Sequence, residues 1–366
     1  MLTGTCNDRY KRQHEVLVDA TRHFTVLVGY SDDRPPFEPY AIEGQSGTLS
    51  EEFLDAHAYD LGVQAAKNCE GAIIAQERVP DDNVASIAVD WGTGATAALF
   101  SDVDVIFQEM TSYTAGPAVE SWDDVDNLRF DPESRLAQRE VEFWRGVSSA
   151  YVEGTALTGH LFRGPLDLAN DLRGNGLFMD MHLEPEQVDR LIGVCTDMII
   201  ECDKFFRAEF PILREAPGGI WGVGLPQPGM LTLNGDPVDL ISPEMGERFN
   251  HPFVERLIDY AGSLYFHHHT LGVSRVDSVS HIRGLTVQQF TNDPKCPNPF
   301  DLIDDVWVAA SNRAAIDIWQ PFNGEEDMDG LLERMSGGRF VLRGWTQTAD
   351  EARELVERIR AFDVQP

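Results

Sequence analysis

The sequence predicts an α/β fold, a single (β/α)8 TIM barrel spanning residues 81–366 with residues 1–80 as a helical and loop extension packed on it. Three observations carry that expectation. From about residue 85 onward, short apolar segments alternate with longer amphipathic ones, the signature of parallel strands joined by covering helices. A chain of 366 residues, 42% hydrophobic, can fill one large core and is long for a single domain outside the barrel class. The glycine fingerprint of a dinucleotide domain is missing, because Gly92-x-Gly94 has no third glycine. No repeat, low-complexity tract or linker divides the chain, so one structural domain is expected.

The elements follow in order. A helical stretch over Lys11–Phe24 leads into Asp32-Asp33-Arg34-Pro35-Pro36, where two prolines forbid regular structure. Glu51–Asn68 reads as a helix with Phe53, Leu54 and Leu61 apolar. Ala85–Val89 is a strand, and the glycines after Trp91 permit a tight turn into a helix. Ala156–Leu161 is a strand, and Gly164-Pro165 turns into the helical Leu168–Arg173. Pro185 opens the clearest helix, with Val188, Leu191, Ile192, Cys195, Met198, Ile199, Cys202 and Phe206 on one face at three-four spacing. Gly218–Val223 reads as a strand. Ser242 caps a helix with Pro243 at its first position, broken once at His251-Pro252. Ser263–His269, Leu285–Phe290, Ala315–Trp319 and Phe340–Gly344 are the remaining strands, and Thr348–Phe362 closes the chain as an amphipathic helix.

Lys and Arg number 29 against 61 Asp and Glu, a formal charge of −32. Such a field repels nucleic acid and anionic membrane, and neither is an expected partner. The five cysteines are scattered, with no Cys-x-x-Cys pair, which favours reduced thiols over a disulfide framework. The N-terminus has no apolar leader and no apolar run reaches membrane-spanning length, so a cytoplasmic protein is expected.

Chemistry concentrates at His267-His268-His269, three of the ten histidines side by side at the end of an apolar, aromatic strand. Period-two alternation puts His267 and His269 on one face and His268 on the other. Two imidazoles on one face begin either a metal site or an acid/base pair; a solvent-facing patch is the plainer alternative.

Gly164-Pro165-Leu166-Asp167-Leu168-Ala169-Asn170-Asp171-Leu172-Arg173-Gly174, Leu177-Phe178-Met179-Asp180 and Leu240-Ile241-Ser242-Pro243-Glu244-Met245 together resemble the uroporphyrinogen decarboxylase superfamily. Thr348-Ala349-Asp350-Glu351 resembles the Thr-Pro-x-Glu that opens its last helix. The resemblance implies one (β/α)8 barrel with the site at the C-terminal ends of its strands. It is closer to the cobalamin-dependent methyltransferase-like branch and its uncharacterised relatives than to the decarboxylase. The decarboxylase's arginine-rich N-terminal loop has no counterpart beyond Arg34, and Leu342-Arg343-Gly344-Trp345 stands in place of its Gly-His-Gly.

In the methyltransferase branch a His-x-Cys motif binds zinc, which activates a thiol for methyl transfer from a corrinoid. This chain has His267-x-His269 there. The resemblance implies a zinc site of His267 and His269 with either Cys296 or a carboxylate as third ligand, and a corrinoid protein as partner. Asp236, six residues before Ser242, falls where the decarboxylase contacts substrate and is a candidate base or ligand. Trp91, Trp221, Gln289, Asn292 and Arg343, at or near strand ends, are candidates to line a substrate pocket. Three functions are carried forward: a zinc-assisted methyl or group transferase acting on a small molecule or corrinoid partner, a metal-independent decarboxylase or lyase on a small carboxylic acid, and a non-catalytic barrel that binds a ligand or partner. A homodimer is compatible with each.

Overall fold

The computed structural model describes residues 4–30, 41–42, 45–46, 49–108, 111–269, 275–291, 296–322 and 328–363. Seven strands form one sheet in the lateral order Phe24–Tyr30, Phe340–Thr346, Ala315–Phe322, Val287–Thr291, Leu264–His269, Leu231–Asn234 and Phe162–Arg163. Every neighbouring pair is parallel. Ser86–Val89 pairs in parallel with Ala156–His160, which continues through Leu161 into Phe162–Arg163. The protein is therefore α/β with a large parallel sheet covered by helices.

Phe24–Tyr30 corrects the expectation of a helical stretch running to Phe24 with no strand between it and the proline loop. The helix ends at Leu17, and Phe-Thr-Val-Leu-Val-Gly-Tyr is the continuous apolar run of a strand covered on both faces. Among the described residues no ladder joins this strand to Ser86–Val89. Two carboxylates take that place. The Asp82 amide donates to the Val26 carbonyl at 2.8 Å, the Asp82 carboxylate accepts from the Val26 amide at 3.0 Å, and Asp81 accepts from the Val28 amide at 3.0 Å.

Alternate residues of these strands converge on one interior cluster. Leu27, Leu161, Tyr265, Val287, Ala315 and Val341 meet there with Val16 and Leu17 of the first helix. Leu27 comes from one lateral end of the sheet and Leu161 from the other side, so the sheet curls around its inner face. The outward residues pack under helices in two further clusters. Each fully buried Leu, Val or Phe in these layers contributes about 1.5–3 kcal/mol.

Gly218–Val223 departs from the expected single strand. Gly218–Ile220 and Val223–Leu225 pair antiparallel across a two-residue turn, Trp221-Gly222, with φ of 51° and 89°. The hairpin puts Ile220, Val223 and Leu225 into the interior cluster. Elsewhere local signals place the elements. Pro185 starts Pro185–Glu209, and the Ser242 hydroxyl accepts from the Met245 amide to cap Pro243–Phe249. The break then falls at Asn250, and Gly262, at φ 85°, ends His251–Ala261 just before the histidine strand. No helix among the described residues is long and apolar enough to cross a membrane.

Candidate metal centre

Alternation along Leu264–His269 builds the site in layers. Tyr265 lies in the interior cluster; His267 stands above it in register with Gln289, and His269 above that in register with Thr291. His268 points to the opposite face and is fully buried. Its Nδ1 lies 2.9 Å from Asp239 Oδ1, its Nε2 3.0 Å from Gln288 Nε2, and its ring packs against Phe290. The second Asp239 oxygen accepts from the His269 amide at 2.7 Å, so one carboxylate fixes both the strand end and the imidazole between the two inward ones.

Asp236 enters from the neighbouring strand. Leu231–Asn234 runs into a short 3-10 turn, Asp236–Leu240, that carries Asp236 and Asp239 together. Gly235 permits the approach, because a Cβ there would collide with the ring of Phe266. Asp236 Oδ1 lies 3.4 Å from His269 Nε2 and 3.8 Å from His267 Nε2. One ligand atom from each of the three lies within 4.8 Å of the others, and among the described residues this is the group that can hold a metal ion.

The protonation states suit a metal. Burial alone would raise the Asp236 carboxyl, but the contact with His269 and the charge of Arg163 outweigh it and hold it well below the usual carboxylate range. Burial lowers His267 below an ordinary histidine, against the opposing pull of Gln289 and Asp236, and so favours the neutral ring. His267 Nδ1 faces the Oε1 of Gln289 within hydrogen-bonding reach. An amide oxygen only accepts, so Nδ1 carries the proton and the Nε2 lone pair faces Asp236 and His269. Asp236 Oδ1 is buried and has no hydrogen-bond partner of acceptable geometry. A buried carboxylate oxygen left in that state beside two imidazole nitrogens fits a cation.

Arg163, which the sequence reading did not select, is the hub behind this triad. It donates to Asp167 at 2.6 Å, Asp171 at 3.0 Å and Asp236 at 3.3 Å. Asp167 in turn accepts from the Asp236 amide at 3.2 Å. Burial pushes Asp167 and Asp171 upward, with Arg163 opposing it. The motif Gly164-Pro165-Leu166-Asp167 thus positions Asp236, and the arginine just before it was the available signal.

The other sequence candidates divide. Trp221 stands at the site, its ring 5.8 Å from that of His267, 5.7 Å from Tyr265 and 5.5 Å from Trp319. Arg343 grips Asp317 with two bonds of 2.8 and 2.6 Å, donates to the Trp221 carbonyl at 2.9 Å, and stacks on Trp319. Its charge is thereby committed. Trp91 is buried in an outer cluster edge-on to Phe143 and does not line the site, because the chain turns away after Val89. Cys296 is a half-buried free thiol before the turn Pro299–Leu302 and stands outside the metal group, whose third corner is the carboxylate of Asp236. Asn292 lies outside the described residues. Trp319, Thr291 and Asp239 join the site without having been singled out.

Among solved structures, the chain is similar to a methyltransferase from Methanosarcina mazei, with a TM-score of 0.53 and 11% identity over 97% of this chain and 98% of that one. The likeness is one of fold. It extends over essentially the whole length of both proteins. No family model matches the sequence, and no curated protein does.

Proposed function

We propose that this chain is a zinc-assisted methyl or group transferase of the methyltransferase-like branch of the uroporphyrinogen decarboxylase superfamily, built on one closed (β/α)8 barrel. On this reading residues 1–80 pack on the barrel and contribute its first strand, Asp81 and Asp82 bridge the closing seam, and a corrinoid protein is the partner. The observation that carries the proposal is the triad Asp236, His267 and His269, with a buried carboxylate oxygen facing two imidazoles. Two imidazoles and a carboxylate are the donor set of catalytic zinc sites that keep one position open. The full-length likeness to a protein titled a methyltransferase supports the same class.

Zinc held there would supply Lewis acidity, lowering the pKa of a thiol or water so that a nucleophile forms at neutral pH. The protein's own groups do the positioning. Gln289 keeps the proton on His267 Nδ1 and so holds Nε2 as a donor. Arg163 and Asp167 fix the carboxylate and backbone of Asp236. Asp239 pins the strand end that carries His269. Such supporting contacts typically control metal affinity by 10–100-fold.

Metal analysis of protein purified without chelators tests the proposal. About one equivalent of zinc per chain in the wild type, lost in His267→Ala and His269→Ala, is the expected result. Less than about a tenth of an equivalent, after incubation with zinc and desalting, would instead favour a metal-independent lyase or a binding protein.

A further inference from the structure

The hairpin turn places a residue where the backbone disfavours it. In a two-residue turn with positive φ at both positions, Asn, Asp or Gly is the usual first residue, because a bulky side chain is strained there. Here that residue is Trp221, at φ 51°. The strain is held by specific bonds: Arg343 donates to the Trp221 carbonyl at 2.9 Å and Gln13 to the Gly222 carbonyl at 2.8 Å. A conformation maintained in this way points to a role for the side chain rather than for the turn.

The indole forms one wall of an aromatic corner. Trp319 meets it at 84°. Trp319 shares the inward face of its strand with Asp317, and Trp345 shares that of Arg343 on the next strand. Trp345 lies across Gly29, where a Cβ would run into its ring. Trp319 and Trp345 are 36% and 53% exposed, so each keeps aromatic surface open.

Charge decides what this corner takes. Among the described residues, Arg163 is committed to three aspartates, and Arg343 to Asp317 and a carbonyl, so neither of these two arginines is left for an anionic substrate. The whole chain, at −32, repels anions and concentrates cations. Indole faces bind methylated cations through the ring quadrupole, and Arg343 already occupies Trp319 in that manner, 4.1 Å from its centroid.

We infer that the substrate pocket recognises a small quaternary ammonium group, with Trp221 as the specificity-determining wall and Trp319 and Trp345 beside it. The inference rests on reading Asp236, His267 and His269 as the reacting end of the same site.

Choline and its neutral isostere 3,3-dimethyl-1-butanol provide the test, titrated calorimetrically into the full chain. Choline should bind at least tenfold more tightly than the isostere. Trp221→Asn should lose at least tenfold in choline affinity while its melting temperature stays level or rises, since asparagine suits the turn. Trp345→Ala, at a more exposed position, should lose about threefold or more, at the weak end of an exposed cation–π contact. Equal binding of the two ligands, no binding of either, or full choline affinity in Trp221→Asn overturns the inference. Metal content is measured on the same samples. Choline selectivity in a protein that takes up no zinc supports the pocket and removes the metal reading, whereas zinc uptake without choline selectivity does the reverse.

Discussion

The amide oxygen of Gln289 and the Nδ1 of His267 face one another across two adjacent parallel strands, in direct register. That relationship sets the tautomer of the imidazole and aims Nε2 at Asp236. It makes Gln289, itself fully buried, the support on which the orientation of His267 depends.

Gln289→Leu should therefore weaken zinc binding by about 10–100-fold without removing a ligand. The buried Nδ1 proton loses its acceptor, so the fold should lose about 1–3 kcal/mol as well. Competition titration with a chromophoric chelator reads the first effect, and urea denaturation of the metal-free protein reads the second. An affinity within about twofold of wild type, below the usual range for such supports, would detach Gln289 from the metal site.

The two neighbours His268 and His269 should behave in opposite ways. His268→Ala removes a buried ring bonded to Asp239 and Gln288 and packed on Phe290, and should cost about 1–3 kcal/mol while zinc uptake persists. His269→Ala, at a partly exposed position, should leave stability within about 0.5 kcal/mol and abolish stoichiometric zinc uptake. Parallel melting curves and metal analyses compare the two.

The seam between Phe24–Tyr30 and Ser86–Val89 should be sensitive to pH. Burial raises the Asp81 carboxyl to about 7, against the Val28 amide and Arg9, which pull it down. In the unfolded chain the same group titrates near 3.9. Between those values the native state holds a proton that the unfolded state has released, so this group's contribution to stability falls as pH rises through that window. Asp81→Asn retains an acceptor for the Val28 amide and removes the ionisation. Relative to wild type, the variant should gain on the order of 1–3 kcal/mol between pH 5 and 8. Urea midpoints measured across that range check the sign; a variant that loses ground toward pH 8 would show that the ionised carboxylate stabilises the seam.

The period of two along Leu264–His269 was enough to separate His267 and His269 from His268, and the same rule brought Gln289 to the inner face. Alternation reports which face a residue takes but not what waits on that face. Asp236 could be chosen as an acid near a strand end, whereas its proximity to both imidazoles depends on pairing between strands some thirty residues apart in sequence. Arg163 stands just before the Gly164-Pro165 turn, within reach of two aspartates on the helix it precedes, but its third partner, Asp236, lies on a distant turn that no local pattern brings to it. Trp91 and Trp221 looked equivalent as tryptophans beside strand ends; only the hairpin, fixed by the positive φ of Trp221 and Gly222, sends one to the site while the other packs into an outer core. Phe24–Tyr30 was missed because a strand buried on both faces has no alternation to detect.

X-ray absorption at the zinc edge, on zinc-loaded protein in thiol-free buffer, reads the ligand set of the triad itself. Asp236, His267 and His269 should give a first shell of nitrogen and oxygen alone at about 2.0–2.2 Å, with the outer-shell scattering of two imidazoles, and His267→Ala should lose one imidazole's contribution. A sulfur scatterer at about 2.3 Å would give the third position to Cys296 in place of Asp236, and a protein that retains no zinc would contradict the metal centre itself.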